Sequence, residues 1–178
     1  MTIRLHRGDL PDLSRYKDSV AIDTETMGLN PHRDRLCVVQ MSNGDGSADV
    51  IQIPKGHTDA PNLKALLANP AVTKIFHFAR FDLAALYNTF GVMPQPVYCT
   101  KNAWRLTRTY TDRHGLKDLV REVLNIDLSK QQQCRQDGCG KIERLSHVIP
   151  PGRQVDLPAN TMYVILHIMS VDIPICNW

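Results

Sequence analysis

Two carboxylates stand one residue apart at the end of an apolar run in the segment DSVAIDTETMGLNP. Residues 20–22 have the composition of a buried strand, and Asp23 and Glu25 follow directly. Because side chains alternate along a strand, both carboxylates are predicted to share one face, with Cα atoms roughly 6.5–7 Å apart. Two like charges that close repel each other unless water or a cation neutralises them. The pair therefore predicts either a solvated strand end or a site for hard divalent cations such as Mg²⁺ or Mn²⁺.

A third carboxylate follows a second predicted strand, in the segment KIFHFARFDLAAL. The strand is predicted to end near Phe78, which places Asp82 in the first turn of the next helix. Stabilisation of the helix dipole explains an acidic residue there, and so does a third metal ligand at the same edge of the sheet. Three such carboxylates can hold two ions, an arrangement that hydrolyses phosphodiester bonds. His77 fits a structural histidine at a strand end as well as it fits a substrate contact.

The remainder of residues 1–133 alternates between strand and helix patterns. Strands are predicted at VAID, RLCVVQMS (Arg35–Ser42), ADVIQIP (Ala48–Pro54), VTKIFHFA and PVYCT, and helices at DAPNLKALLANP, RFDLAALYNTFG and HGLKDLVREVLNIDL. The GDG turn joins the second and third strands as a hairpin. Hairpin-linked strands followed by strand–helix alternation predict an α/β domain with a mixed sheet flanked by helices.

Composition places the chain among ordinary globular proteins. Of its 178 residues, 43% are hydrophobic and 22% charged, and the net charge of +3 permits a polyanionic partner without requiring one. The sequence has neither an apolar run of membrane-spanning length nor the apolar segment of a signal peptide, so we expect a cytoplasmic protein without membrane contact. The odd count of five cysteines predicts free thiols.

Three arginines cluster in the segment WRLTRTYTDRHGLK, namely Arg105, Arg108 and Arg113. They fit a solvated helix face and loop, and they also fit an edge that contacts phosphates.

Three segments together make the chain resemble a known enzyme family. AIDTETMGL, HFARFDLAAL and YCTKNAWRLTRTYTDRHGLKDLVREVLNIDLSKQQQ are similar to the DEDD 3′–5′ exonucleases of the ribonuclease D-like branch, closest to the nano-RNase C type of short-RNA diribonuclease. The resemblance covers about residues 1–133. It implies a ribonuclease H-like fold and hydrolysis of short RNA or dinucleotides from the 3′ end, releasing nucleoside monophosphates. A DNA-directed exonuclease stays open, because contacts to the 2′-hydroxyl cannot be read from one sequence.

The resemblance also implies roles for the three carboxylates around two divalent cations, Mg²⁺ or Mn²⁺. Asp23 would bridge both metals. Glu25 would bind one metal and help to hold the terminal 3′-hydroxyl. Asp82 would bind on the side of the second metal, partly through water.

Four further residues become candidate substrate contacts through the same resemblance. Leu29 matches a leucine that wedges against the terminal bases in related oligoribonucleases, although an ordinary core or loop leucine is equally consistent with its position. His77, Arg105 and Arg108 become candidate phosphate contacts. The branch includes monomers, whereas the nano-RNase C type forms homo-oligomeric rings, so both states stay open.

Residues 134–178 depart from the family pattern. The ribonuclease D-like branch carries a third motif, Tyr-x-x-x-Asp, whose Asp is the fourth metal-binding carboxylate and whose Tyr orients the attacking water. Counting on from Gln133 without gaps puts Ile149 and Arg153 in these two positions, and Pro150–Pro151 interrupts the helix between them. We therefore expect weak or no turnover, since a cation near two divalent ions would repel them.

Three explanations for the tail stay open. The segment is a frameshifted or misread coding region, or the site is rebuilt from Asp156 or from the pair His167 and Asp172, or the chain is a non-catalytic relative. Under the third explanation, the chain is a module that binds RNA ends without hydrolysing them.

Overall fold

A computed structural model of the chain describes residues 2–30 and 32–125. The predicted boundary between residues 133 and 134 lies outside these residues. The same is true of the tail positions discussed above, which are Ile149, Arg153, Asp156, His167 and Asp172.

The described residues form one six-stranded sheet with helices on both faces. In chain order the elements are β1 (Thr2–Arg7), β2 (Ser19–Thr26), β3 (Leu36–Ser42), β4 (Ser47–Gln52), α1 (Pro61–Ala68), β5 (Thr73–Phe76), α2 (Arg80–Phe90), β6 (Val97–Cys99), α3 (Thr100–Thr107) and α4 (Leu116–Leu124). The strand order is β1-β4-β3-β2-β5-β6. Strand β3 is antiparallel to both of its neighbours, and the other three pairs are parallel. The predicted α/β class with a mixed sheet is confirmed.

Alternate residues of the central strand β2 enter two different cores. Val20 and Ile22 belong to the larger core, which includes leucines of α1 and α2. Ala21 belongs to a smaller core with Trp104 of α3 and Leu119 of α4. Because the alternation continues along the strand, Asp23 and Glu25 follow Ala21 on the α3–α4 face, while the residue between them follows Ile22 on the α2 face.

The start of α1 and the end of α2, the two helices that pack on the larger core, depend on particular residues. Helix α1 has no capping side chain next to its first turn, and Asp9 accepts hydrogen bonds from the Asn62 and Leu63 amides, both at 2.8 Å. Helix α2 ends at Gly91, whose φ of +70° is the left-handed conformation that glycine adopts without strain. The predicted closure of α2 at Gly91 and the place of Asp82 in its first turn are both confirmed.

Strand β1 was not predicted, so the expected count of five strands was wrong. Its pattern TIRLHR is short, and its position depends on a distant residue. The buried carboxylate of Asp49 in β4 accepts from Arg4 Nε at 2.7 Å, contacts His6 Nε2 at 2.8 Å and accepts from the Tyr16 hydroxyl at 2.5 Å. These contacts with β4 anchor an edge strand that local periodicity does not identify.

Strand β5 contains a fully buried ammonium group. Lys74 Nζ donates to the backbone carbonyl of Asn69 and, at 2.7 Å, to that of Gln95. Burial lowers the pKa of Lys74 to about 8.

Two of the cysteines, Cys37 and Cys99, are free thiols in the described part of the chain, as predicted. No helix within residues 2–30 and 32–125 has the length and apolarity needed to cross a membrane.

Candidate active site

The end of strand β2 carries the residues that were predicted to do chemistry. Strand β2 pairs with β5 only as far as Ala21, whereas its pairing with β3 continues to Thr26. Beyond Ala21, no strand within residues 2–30 and 32–125 pairs with the side of β2 that faced β5. Asp82, from the first turn of α2, accepts hydrogen bonds there from the Thr24 amide at 3.1 Å and the Thr24 hydroxyl at 2.7 Å. Asp82 is therefore held at Thr24, the residue between Asp23 and Glu25, at the end of the sheet where a third carboxylate was predicted.

The three carboxylates influence one another electrostatically. Burial, followed by the charges of Asp82 and Glu25, raises the pKa of Asp23 to about 8. Burial raises the pKa of Asp82 to about 6, with hydrogen bonds from Thr24 opposing the shift and the Glu25 charge adding to it. Both shifts disfavour the charged forms of Asp23 and Asp82, most strongly that of Asp23, and a bound cation would offset this cost.

The donor set suits a divalent cation in chemistry, and it is incomplete in geometry. Carboxylate oxygens are the ligands that Mg²⁺ and Mn²⁺ prefer, and mutual repulsion of this kind is what such an ion relieves. Within residues 2–30 and 32–125, however, no three carboxylate, imidazole or thiol groups are arranged as they stand to hold a metal ion. Oδ1 of Asp82 is also already occupied by Thr24. A full set would require rotation of these side chains or a further ligand.

Thr24 supports Asp82, and this role predicts a measurable effect. We expect Thr24→Val to lower the free energy of unfolding by about 1–3 kcal/mol at pH 8, because the ionised Asp82 loses a donor inside the protein. Chemical denaturation measures the change. Thr24→Ser keeps the hydroxyl and should retain most of the stability. Equal stability of Thr24→Val and the wild type would show that the hydrogen bond contributes nothing.

His77 lies at the end of β5, half-buried beside the start of α3. Its Nδ1 is 2.9 Å from the Thr100 hydroxyl, which donates to the Phe76 carbonyl at 3.1 Å. Because a hydroxyl has one proton, Nδ1 must carry the proton in its own contact with Thr100, and Nε2 is left as an acceptor. Burial and the nearby Lys101 ammonium lower the pKa of His77 to about 4. The neutral ring suits a hydroxyl donor, and a contact to phosphate would need a second proton on the ring.

Leu29 lies in the bend that follows β2, and 85% of it is exposed. The core alternative for this leucine is therefore excluded, and its side chain is available to a ligand. A Cβ at Gly28 would lie 2.4 Å from Asp34 Oδ2, so a larger residue here would have to displace the Asp34 side chain. Asp34 also accepts from the Asn30 amide at 2.9 Å, which holds the bend in place.

The two predicted arginines lie at the far end of α3 from Thr100. Arg105 is exposed in the last turn. Arg108 Nε donates to Glu122 at 2.7 Å, and its guanidinium lies 4.7 Å from the Trp104 ring centroid. These contacts tie α3 to α4, so a phosphate would have to compete with Glu122 for Arg108.

Sequence analysis missed two residues at the same sheet edge, Phe78 and Lys101. Phe78 was assigned only as a strand end, and no local pattern marked its backbone conformation. Lys101 stands four residues before Arg105 on the same helix face, which was the one available signal.

Comparison with known proteins identifies the family of this arrangement. The sequence matches the 3′-5′ exonuclease family over residues 10–148, a stretch that contains Asp23, Glu25 and Asp82. The chain belongs to the 3′-5′ exonuclease family. The match extends past Gln133 into the tail.

Relatives and solved structures place this chain within the family. Ribonuclease D of Acidiphilium cryptum is 38% identical over 101 residues, which are 57% of this chain and 25% of that protein. Brucella melitensis NrnC has been solved with bound Mg²⁺ and bound to pGG, at 53% and 54% identity. Each NrnC structure has a TM-score of 0.72 and covers 95% of this chain and 76% of the other. The ribonuclease D-like assignment and the ribonuclease H-like fold are confirmed. The chain spans about a quarter of the length of that ribonuclease D.

Proposed function

We propose that this chain is a 3′–5′ exoribonuclease that depends on two divalent cations, Mg²⁺ or Mn²⁺, and acts on short RNA or dinucleotides. The observation that carries the proposal is the convergence of Asp23, Glu25 and Asp82 at one sheet edge, where burial and like charges raise two of their pKa values. The family match supplies the reaction class. Binding of Mg²⁺ and of pGG by Brucella melitensis NrnC supports the cofactor and the substrate class.

The reaction is hydrolysis of the terminal phosphodiester bond. The oxygen of water forms a bond to phosphorus, the P–O3′ bond breaks, and the departing 3′-oxygen takes a proton. The products are a nucleoside 5′-monophosphate and an RNA one nucleotide shorter. Divalent cations would supply acidification of water and neutralisation of charge on the phosphate. Asp23, Glu25 and Asp82 would hold these cations, with Glu25 also positioned toward the terminal 3′-hydroxyl.

Four other residues are proposed to contact the substrate. The exposed Leu29 would pack against the terminal bases. His77 would accept from a substrate hydroxyl through Nε2, or contact a phosphate when protonated. Arg105, and Arg108 after release from Glu122, would face phosphates farther along the RNA.

We also propose an exonuclease domain over residues 1–133, a separate tail over 134–178, a cytoplasmic location and a homo-oligomeric assembly.

A second function, binding of RNA ends without hydrolysis, is favoured by two observations. The described residues do not form a closed set of three metal ligands, and Arg153 occupies the sequence position of the fourth carboxylate. We expect weak turnover, because three carboxylates converge but do not form a complete set of metal ligands.

A labelled RNA dinucleotide incubated with the full chain and Mn²⁺ tests these proposals. Slow release of a mononucleotide that stops with EDTA is the expected result. Saturable binding without any product would instead establish the end-binding function. Absence of both binding and product would overturn the two proposals together. A deoxyribose dinucleotide measured in parallel tests the DNA alternative.

A further inference from the structure

Phe78 combines exposure with an unfavourable backbone conformation. Its φ of +67° lies in the left-handed region, which bulky side chains rarely adopt. Phe78 is 49% exposed, so burial of apolar surface explains only part of its placement. Residues held in such conformations concentrate at ligand sites, where the surrounding structure imposes them. Phe78 stands directly after His77, at the edge where β5 and α2 bring Asp82 to β2.

Lys101 places a positive charge over this ring. Its Nζ lies 3.9 Å from the Phe78 ring centroid, and its charge also acts on His77. Lys101 is in the first turn of α3, where the helix dipole disfavours a cation. The preceding residue, Thr100, is buried and hydrogen-bonded to both His77 and Phe76. The ends of β5 and β6 therefore fix the ring and the ammonium group relative to each other.

We propose that Phe78 and Lys101 form a nucleotide subsite, in which the ring stacks on a nucleobase and the ammonium pairs with a phosphate of the same RNA end. This inference rests on the proposed function, because the ligand is the substrate of that reaction. Without a nucleotide, the ring and the ammonium are partners of each other. A nucleotide offers the ring a base face and the ammonium a charged oxygen, which are the partners that proteins use for single-stranded nucleic acids.

Two other aromatic residues, one with a cation over its ring and one exposed, fit this role less well. Trp104 also has a cation over its ring, but the ring is buried and cannot receive a base. Tyr87 is exposed, and it lies near the C-terminal end of α2, away from the turn that carries Asp82. Because every base has an aromatic face, stacking on Phe78 predicts binding that tolerates any base.

Binding of a fluorescent RNA dinucleotide tests the subsite, with Ca²⁺ in place of Mg²⁺ so that the ligand stays intact. Phe78→Asn removes the ring and keeps a residue that tolerates a positive φ. We expect it to raise Kd about tenfold, within the roughly 5- to 150-fold range for one base stacked on an aromatic ring. Phe78→Tyr should stay within about twofold of the wild type. Thermal melting in the same buffer establishes that Phe78→Asn is folded.

Two abasic dinucleotides, each lacking one base, separate stacking from a structural role. Removal of the base that stacks on Phe78 should make wild type and Phe78→Asn bind equally, and the other abasic ligand should preserve their difference. For Lys101→Met we expect the slope of log Kd against log salt to fall by about one, with Lys101→Arg near the wild type. Tyr87→Ala, which changes an exposed aromatic residue elsewhere on α2, should leave Kd unchanged.

Equal dinucleotide affinity of Phe78→Asn and the wild type would overturn the subsite. Cleavage measured on the same samples with Mn²⁺ separates this failure from failure of the proposed function. Cleavage without any dependence on Phe78 overturns the subsite alone. Binding that depends on Phe78, without cleavage, leaves the subsite standing and overturns the hydrolytic function. A wild-type chain that binds no dinucleotide overturns both.

Discussion

Asp23→Asn is expected to abolish dinucleotide hydrolysis and, in the metal-free chain, to make the fold more stable. Asparagine has nearly the same shape and cannot ionise. The variant therefore removes a proposed ligand for divalent cations while it also removes a carboxylate that is buried near Asp82 and Glu25. Loss of one group that stabilises charge in the transition state costs about 10²- to 10³-fold in kcat, and loss of a metal ligand should cost at least as much.

The gain in stability follows from the pKa of Asp23. Burial and the neighbouring carboxylates raise this pKa to about 8, far above the value of about 3.9 expected in the unfolded chain. At pH 7.5 the unfolded chain ionises Asp23 freely, whereas the folded chain mostly keeps the proton on it. This difference lowers the free energy of unfolding by an amount on the order of a few kcal/mol. Chemical denaturation in EDTA should give Asp23→Asn a higher free energy of unfolding than the wild type, by an amount of this order.

The same substitution just before the first residue of β2 supplies the control. Asp18 directly precedes β2 and its side chain is exposed, so Asp18→Asn should change neither turnover nor stability appreciably. A variant Asp23→Asn that keeps wild-type turnover would exclude Asp23 from the metal site. Loss of stability in that variant would show instead that the carboxylate is held by favourable contacts.

The stability of the metal-free wild type is expected to fall as pH rises from about 6.5 to 8. In this window the folded chain retains the Asp23 proton that the unfolded chain has already lost, because the folded pKa is the higher one. Stability decreases with pH wherever the folded state binds more protons, by about 1.4 kcal/mol per pH unit for one proton. We therefore expect a loss on the order of 1–2 kcal/mol across the window.

Other groups limit the window on both sides. Below pH 6.5 the unfolded chain protonates His77 while the folded chain does not, because the folded pKa is about 4. His77 therefore makes stability rise with pH there, opposite to the effect of Asp23 and Asp82. Above pH 8, the pKa of about 8 for Lys74 means that the folded chain loses this proton first, and stability rises again. A minimum of metal-free stability near pH 8 is the expected signature.

Denaturation curves in EDTA at several pH values, repeated with saturating Mn²⁺, measure this dependence. A cation that binds only the folded state raises stability, and because it competes with the Asp23 proton its effect should be larger at pH 8 than at pH 6.5. In Asp23→Asn the slope between pH 6.5 and 8 should be nearly flat. A wild-type profile that rises through this window would contradict the raised pKa of Asp23.

Elements whose signals are local could be predicted from the sequence. The strands near Asp23 and Phe78, the first-turn place of Asp82 and the closure of α2 at Gly91 all follow from periodicity and from the conformational preferences of single residues. The candidate carboxylates could be found for the same reason, since Asp23 and Glu25 interrupt an apolar pattern at fixed spacing.

Contacts between residues far apart in sequence arrange these elements around the candidate site, and the sequence did not predict these contacts. The Thr24 hydroxyl holds Asp82 across 58 residues of sequence, and Asp49 recruits β1 across a separation of 45 residues from Arg4. The left-handed Phe78 under Lys101, and the pairing of Arg108 with Glu122, likewise depend on which helix packs beside which strand. Periodicity reports which face of an element is buried, and it carries no information about the distant partner that covers that face. Partners of this kind are selected only when the chain packs, because their contacts and burial energies exist only in the assembled sheet.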